Sequence, residues 1–135
     1  MPATTGGQVA TEEERTFSAS AEAVRHVRHW IDRLAEQASF ARVRADLALA
    51  ASEATSNVVR HSGGSRLTVR WRADHRRAEI EVADDGVFDV RAVSPDGKGG
   101  FGIPIMAAVV DEFAIEHGTP ERPGTRVRLV KRKAE

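Results

Sequence analysis

Glu53, Asn57 and His61 stand four residues apart in the sequence, so on a helix the three side chains would share one face. Carboxylate and amide oxygens at that spacing can hold Mg²⁺ through one or two direct bonds, with waters and phosphate oxygens completing the octahedron. A solvated helix face has the same spacing, and this segment alone does not choose between the two.

Two further segments carry chemistry. In Val82-Ala83-Asp84-Asp85-Gly86 a strand-like run leads into two carboxylates and a glycine. An aspartate at a strand end can accept a hydrogen bond from the amino group of a buried ring, and Gly86 allows close backbone approach. An Asp-Gly turn is the simpler reading of the same residues. In Gly97-Lys98-Gly99-Gly100-Phe101-Gly102 a glycine-rich stretch enters an apolar helix, whose N-terminal N–H groups and dipole suit phosphate. It is neither a Walker A loop nor a dinucleotide fingerprint, because the Gly-Lys-Ser/Thr ending and the strand before it are both missing.

Other chemistries find little support. The chain has no cysteine, which removes disulfides, thiolate zinc sites and a cysteine nucleophile. His26 and His29 lie one helical turn apart with no third ligand, and read as an exposed pair. Ser52, Ser56, Ser62 and Ser65 have no paired base, and Trp30 and Trp71 read as core. Twenty basic and twenty acidic residues give a net charge of zero, so bulk charge draws the chain to neither nucleic acid nor membrane. The basic tail Lys131-Arg132-Lys133 is short and reads as a solvated strand end. No apolar run approaches the ~20 residues of a membrane span, and the polar, acidic start is not a signal peptide. A cytoplasmic protein is the expectation.

The elements that must position these residues follow from periodicity. At 135 residues the chain is one domain in size. Residues 1–12 show no period and are expected to be a flexible arm, leaving 13–135 as the folded unit. Val24, Val27, Ile31 and Leu34 predict a helix behind Ser20 as N-cap. Val43, Leu47, Ala50, Ala54 and Val58 predict a second helix from about Ala41 to His61, ended by Gly63-Gly64. The period then drops to two through Leu67, Val69 and Trp71, and again at Ile80 and Val82, with a turn over Ala73–Arg77. A short helix over Pro104–Val110 and strands at Phe113–Glu116 and Thr125–Lys131 complete the order, with a further strand near Arg15–Phe17. Strand pairs separated by helices predict an α+β, two-layer sandwich: a mixed, mostly antiparallel sheet with helices on one face.

Taken in order, these pieces resemble the GHKL (Bergerat-fold) ATPases, and most closely the RsbW-type anti-sigma-factor serine/threonine kinases. The run Ser52-Glu53-Ala54-Thr55-Ser56-Asn57-Val58-Val59-Arg60-His61 resembles the family's N-box. Asp84-Asp85-Gly86 resembles its first glycine box and Gly100-Phe101-Gly102-Ile103 its second, while Gly124-Thr125 resembles the Gly-Thr that precedes the last strand. Each box is loose; four in this order are specific. Two features depart from the usual pattern. Val87-Phe88-Asp89 follows Gly86 at once, where the family commonly inserts further small residues. Only Val87–Lys98 separates the glycine boxes, a short lid that suits the anti-sigma kinases better than the sensor histidine kinases.

The resemblance implies a set of roles. Asn57 would be the Mg²⁺ ligand bridging metal and phosphates, and Glu53 the general base. Asp84 would bind the adenine amino group, Gly86 and Thr125 would line the base pocket, and Gly100 and Gly102 would form the phosphate-side loop. His61 matches the box and takes a structural role. The implied activity is an ATP- and Mg²⁺-dependent protein-serine/threonine kinase that phosphorylates a STAS-type anti-sigma antagonist and sequesters a sigma factor. It would be a homodimer, with no direct nucleic-acid or membrane partner. With no dimerisation-and-phosphoacceptor helix pair, a complete histidine kinase is not expected. The shortened first glycine box motivates an alternative, a non-catalytic nucleotide-binding or nucleotide-free anti-sigma binding module. A detached accessory ATPase domain is a third reading.

Overall fold

A computed structural model of the chain describes residues 11–61, 64–86 and 102–133. Their order is β1 (Thr11–Ser18), α1 (Ala21–Gln37), a 3-10 turn (Ala41–Val43), α2 (Arg44–His61), β2 (Arg66–Ala73), β3 (Arg77–Asp84), α3 (Gly102–Val109), β4 (Glu112–Glu116) and β5 (Arg126–Arg132). The strands form one sheet in the order β1-β2-β3-β5-β4. All four pairings are antiparallel, so the sheet expected to be mixed is antiparallel throughout these residues.

Alternation builds the sheet's two faces. Leu67, Val69 and Trp71 of β2, Ile80 and Val82 of β3, and Val127 and Leu129 of β5 are fully buried in a core shared with Val27, Ile31, Leu47, Ala54 and Val58 of the two long helices. The predicted α2 stripe is buried along its whole length. On α1 the buried centre is Ala23, Val27, Trp30, Ile31 and Ala35, so Val24 and Leu34 sit at the margin. Two aromatic pairs brace this core edge to face, Phe17 with Trp30 and Phe40 with Trp71, at 6.1 and 6.2 Å between ring centres.

The opposite face is charged and paired. Arg70 bonds Glu14 and Glu81, and Arg126 bonds Glu81 and Glu116, at 3.1–3.3 Å. One chain of charges therefore crosses all five strands. A parallel row joins Glu12 to Arg72 and, bidentately, Glu79 to Arg128. The Arg128 guanidinium holds the Glu79 carboxyl below its ordinary value against an opposing effect of burial, and raises its own value in return.

The same pairing explains why β1 runs longer than the sequence suggested. Thr11 and Glu12, expected in the arm, pair with Ala73 and Arg72. An edge strand held by cross-strand Glu–Arg pairs needs no apolar alternation, which is the signal that was read. The boundaries of α2 shift for a similar local reason, its first turn being 3-10. Ser20 occupies the N-cap of α1, but its hydroxyl makes no capping bond.

Candidate functional site

The site grows from the ends of two adjacent strands. Inner-face positions on β3 are Ala78, Ile80 and Val82, and the same alternation continues to Asp84, which pairs with Leu67 of β2. On β5 it runs back from Leu129 and Val127 to Thr125, which is buried. A carboxylate and a hydroxyl thus replace apolar side chains where the core reaches the sheet's end.

Backbone bonds lock the pair. The Asp84 N–H donates to the Thr125 carbonyl at 2.9 Å, and the Thr125 N–H donates to Asp84 Oδ1 at 3.2 Å. Oδ1 also accepts the Gly86 N–H at 3.1 Å. Gly86 in turn accepts the Gly124 N–H at 2.8 Å, and the Thr125 hydroxyl accepts the Gly118 N–H at 3.2 Å. Oδ1 is thus committed to backbone, and Oδ2 is buried.

Three glycines make this closeness feasible. Gly124 has φ +116°, where a side chain is strained. A Cβ on Gly118 would run into the Gly86 carbonyl oxygen and lie 2.7 Å from the Gly124 nitrogen. A Cβ on Gly64 would lie 2.6 Å from Asp84 Oδ2, 2.5 Å from Asp85 Oδ1 and 2.9 Å from the Gly86 nitrogen. Neither Gly64 nor Gly118 was singled out as a site residue from the sequence, because an isolated glycine signals a turn and not what packs against it.

Gly64 also brings α2 to the same place. It follows the helix closely, and Ser65 donates its N–H to Asp85 Oδ1 at 3.1 Å. One turn back from the helix end, ~6 Å along the axis, lies Asn57, only 9% exposed. Among the described residues its amide makes no hydrogen bond. Glu53 is half-buried a turn further back. Two neighbouring hydroxyls on α2 are satisfied internally, Ser52 by the Leu49 carbonyl and Thr55 by the Ala51 carbonyl, each at 2.8 Å. Ser52 is thus no nucleophile candidate, and His26 and His29 are exposed as expected. Among the described residues no cluster of metal-ligating side chains exists.

Of the expected site residues, Asp84, Gly86 and Thr125 meet directly, and Asn57 and Glu53 line the helix that ends beside them. Gly102 is the first residue of α3. Gly100, the segment between the glycine boxes and the His61 side chain lie outside the described residues.

The family model for the histidine kinase-like ATPase domain matches residues 17–131, from the end of β1 to the last strand. The chain belongs to this family. It is 38% identical over 64 residues to the sensor histidine kinase MctS of Rhizobium johnstonii, a match spanning 47% of this chain and 14% of that protein. Its fold is similar to the solved RsbU and RsbW domains of Rv1364c from Mycobacterium tuberculosis, with a TM-score of 0.66 at 22% identity. That match covers 90% of this chain and 32% of the other. Among the described residues, no helix of this ATPase domain is long and apolar enough to cross a membrane.

Proposed function

We propose that this histidine kinase-like ATPase domain is an ATP-dependent protein-serine/threonine kinase that phosphorylates a STAS-type anti-sigma antagonist and sequesters a sigma factor, acting as a homodimer. The observation that carries the reading is the Asp84–Thr125 pair, fixed by reciprocal bonds on the core side of the sheet beside the end of α2. The RsbW-like fold supports the class of partner.

The residues present fit adenine nucleotide with Mg²⁺. Asn57 is nine-tenths buried as a residue and its amide bonds to no described residue, which leaves its oxygen available to a cation. Asn57 would hold the metal, which when bound neutralises phosphate charge. Asp84 would accept from the amino group of adenine through Oδ2, with Gly86 and Thr125 lining the base, while Gly100 and Gly102 would present backbone N–H groups to phosphate. Glu53, half-buried and one turn from Asn57, accepts the proton of the acceptor serine or threonine hydroxyl as that oxygen attacks. The phosphorylated antagonist gains about −1.5 to −2 charges at pH 7, enough to expel it from a fitted interface.

A second reading has its own observation. Asp84 Oδ2 is buried and a Cβ on Gly64 would lie 2.6 Å from it, so there is little room for a base at that oxygen. This favours weak nucleotide affinity and a non-catalytic anti-sigma binding module. Calorimetry with ATP and GTP, followed by phosphate transfer to a co-encoded STAS protein, separates the two. The kinase binds ATP in preference to GTP, whose carbonyl would face the Asp84 carboxylate, and transfers phosphate. Sigma-factor binding without transfer selects the module.

A further inference from the structure

The end of the sheet away from Asp84 carries a different feature. β3 runs from Arg77 to Asp84, so the two ends of that strand are ~24 Å apart. At the Arg77 end, the β2–β3 turn and the end of β5 enclose a cleft of about 750 Å³ lined by His75, Arg76, Arg77, Arg132 and Lys133. Every described lining residue is basic, in a chain of zero net charge. The short tail that reads in sequence as a solvated strand end is held here, because the Lys133 N–H donates to the Arg76 carbonyl at 2.8 Å.

The charge pattern breaks at this point. Elsewhere on the outer face arginines meet glutamates across the strands. Here Arg77 stands directly opposite Arg132, an arrangement that costs stability. Arg132 reaches Glu112 at 3.4 Å, but His75, Arg76, Arg77 and Lys133 form no ion pair among the described residues. Two nearby carboxylates are engaged by backbone: Asp74 Oδ1 accepts the N–H groups of Arg76 and Arg77 at 2.7 and 3.0 Å, and Asp111 Oδ2 accepts the Arg132 N–H at 2.6 Å.

We infer that this cleft is a docking site for an acidic segment of a partner protein, separate from the nucleotide site. Cations placed side by side at a stability cost, most of them without an ion pair among the described residues, complement carboxylates supplied by another chain. The cluster is compact, and beside it Glu12, Glu79 and Glu112 are each paired with an arginine, so the net positive charge does not extend along the face for a longer run of phosphates; a short acidic peptide fits within it.

The test titrates the full chain with a labelled short Asp/Glu-rich peptide, its Asn/Gln isostere and a DNA duplex, by fluorescence anisotropy at low and high salt. The acidic peptide binds saturably and salt-sensitively, the isostere does not bind, and the duplex binds more weakly. Arg76→Glu with Arg77→Glu weakens the peptide roughly tenfold or more. Arg77→Glu alone places a carboxylate opposite Arg132 and raises the melting temperature by about 1–4 °C while weakening the peptide. Peptide affinity unchanged by both variants overturns the inference. So does tighter binding of the duplex, which makes the occupant nucleic acid, or a lower melting temperature in Arg77→Glu, which makes the arginine pair structural. ATP affinity, read in parallel, is independent of all these outcomes.

Discussion

Asp84 and Thr125 are 41 residues apart in sequence and bond each other twice, once from each backbone N–H, with Asp84 supplying a carbonyl-like acceptor from its own side chain for one of the two. The carboxylate is thus both a structural clip between β3 and β5 and the group expected to read a base. In the proposed nucleotide site the two duties would fall to different oxygens, Oδ1 for the clip and Oδ2 for the base, and substitution can separate them.

Asp84→Asn keeps an oxygen for the Gly86 and Thr125 N–H groups and turns an amide NH₂ toward the ligand. Donor then faces donor, so ATP affinity falls roughly tenfold or more while the fold is retained. Asp84→Ala leaves both N–H groups without their acceptor and lowers stability by about 1–3 kcal/mol. Calorimetry and thermal melts on the two variants give this contrast; equal loss of stability in both shows that the clip needs the charge.

Asn57 predicts the opposite coupling. Asn57 is 9% exposed and its amide makes no hydrogen bond among the described residues, so Asn57→Ala removes no bond that the described fold uses. Mg²⁺-dependent ATP binding falls roughly tenfold, and the melting temperature holds or rises. A variant that melts earlier and binds ATP as before places Asn57 in the core's own bonding and not at a metal.

Glu53→Gln keeps size and an oxygen but cannot take a proton. ATP binding stays within a few fold, and phosphate transfer to the antagonist slows by roughly 10²-fold or more. Single-turnover transfer as fast as wild type ends the general-base assignment.

Gly118 is a test of packing alone. Gly118→Val drives side-chain atoms into the Gly86 carbonyl and the Gly124 nitrogen, and overpacking of this kind costs about 1–3 kcal/mol. Urea melts show the loss, and ATP affinity drops with it because Gly86 and Thr125 are displaced together. A fully stable Gly118→Val means that β4 and β5 separate at this end without cost.

The Glu79–Arg128 pair sets a pH signature. Arg128 holds the Glu79 carboxyl below its ordinary value of 4.5, so the pair's stabilisation is present above that value and is lost as pH falls through the lowered one. At pH 7 Glu79→Gln costs about 0.5–1 kcal/mol, as for a well-formed bidentate surface pair. Denaturant melts of wild type and variant converge in acid; a gap that persists unchanged at pH 3 assigns the loss to packing.

The sequence by itself determined the element order, the inner face of the sheet and the stripe of α2, because apolar residues at periods of 2 and 3.6 report directly which side faces a core. It also put forward Glu53, Asn57, Asp84, Gly86 and Thr125 as site candidates, since box order is a property of the chain, and the structure brings Asp84, Gly86 and Thr125 together. Periodicity did not register Thr11–Glu14 as strand, because that edge is held by arginines on β2 and carries no apolar alternation of its own. Nor does any local pattern say that β5 inserts between β3 and β4. That insertion is what only the tertiary structure decided, and it sets Thr125 beside Asp84, Gly118 against Gly86, and Arg77 opposite Arg132. Contacts between residues distant in sequence are chosen by which strand edges and faces bury together, a property of the whole sheet that no single segment encodes.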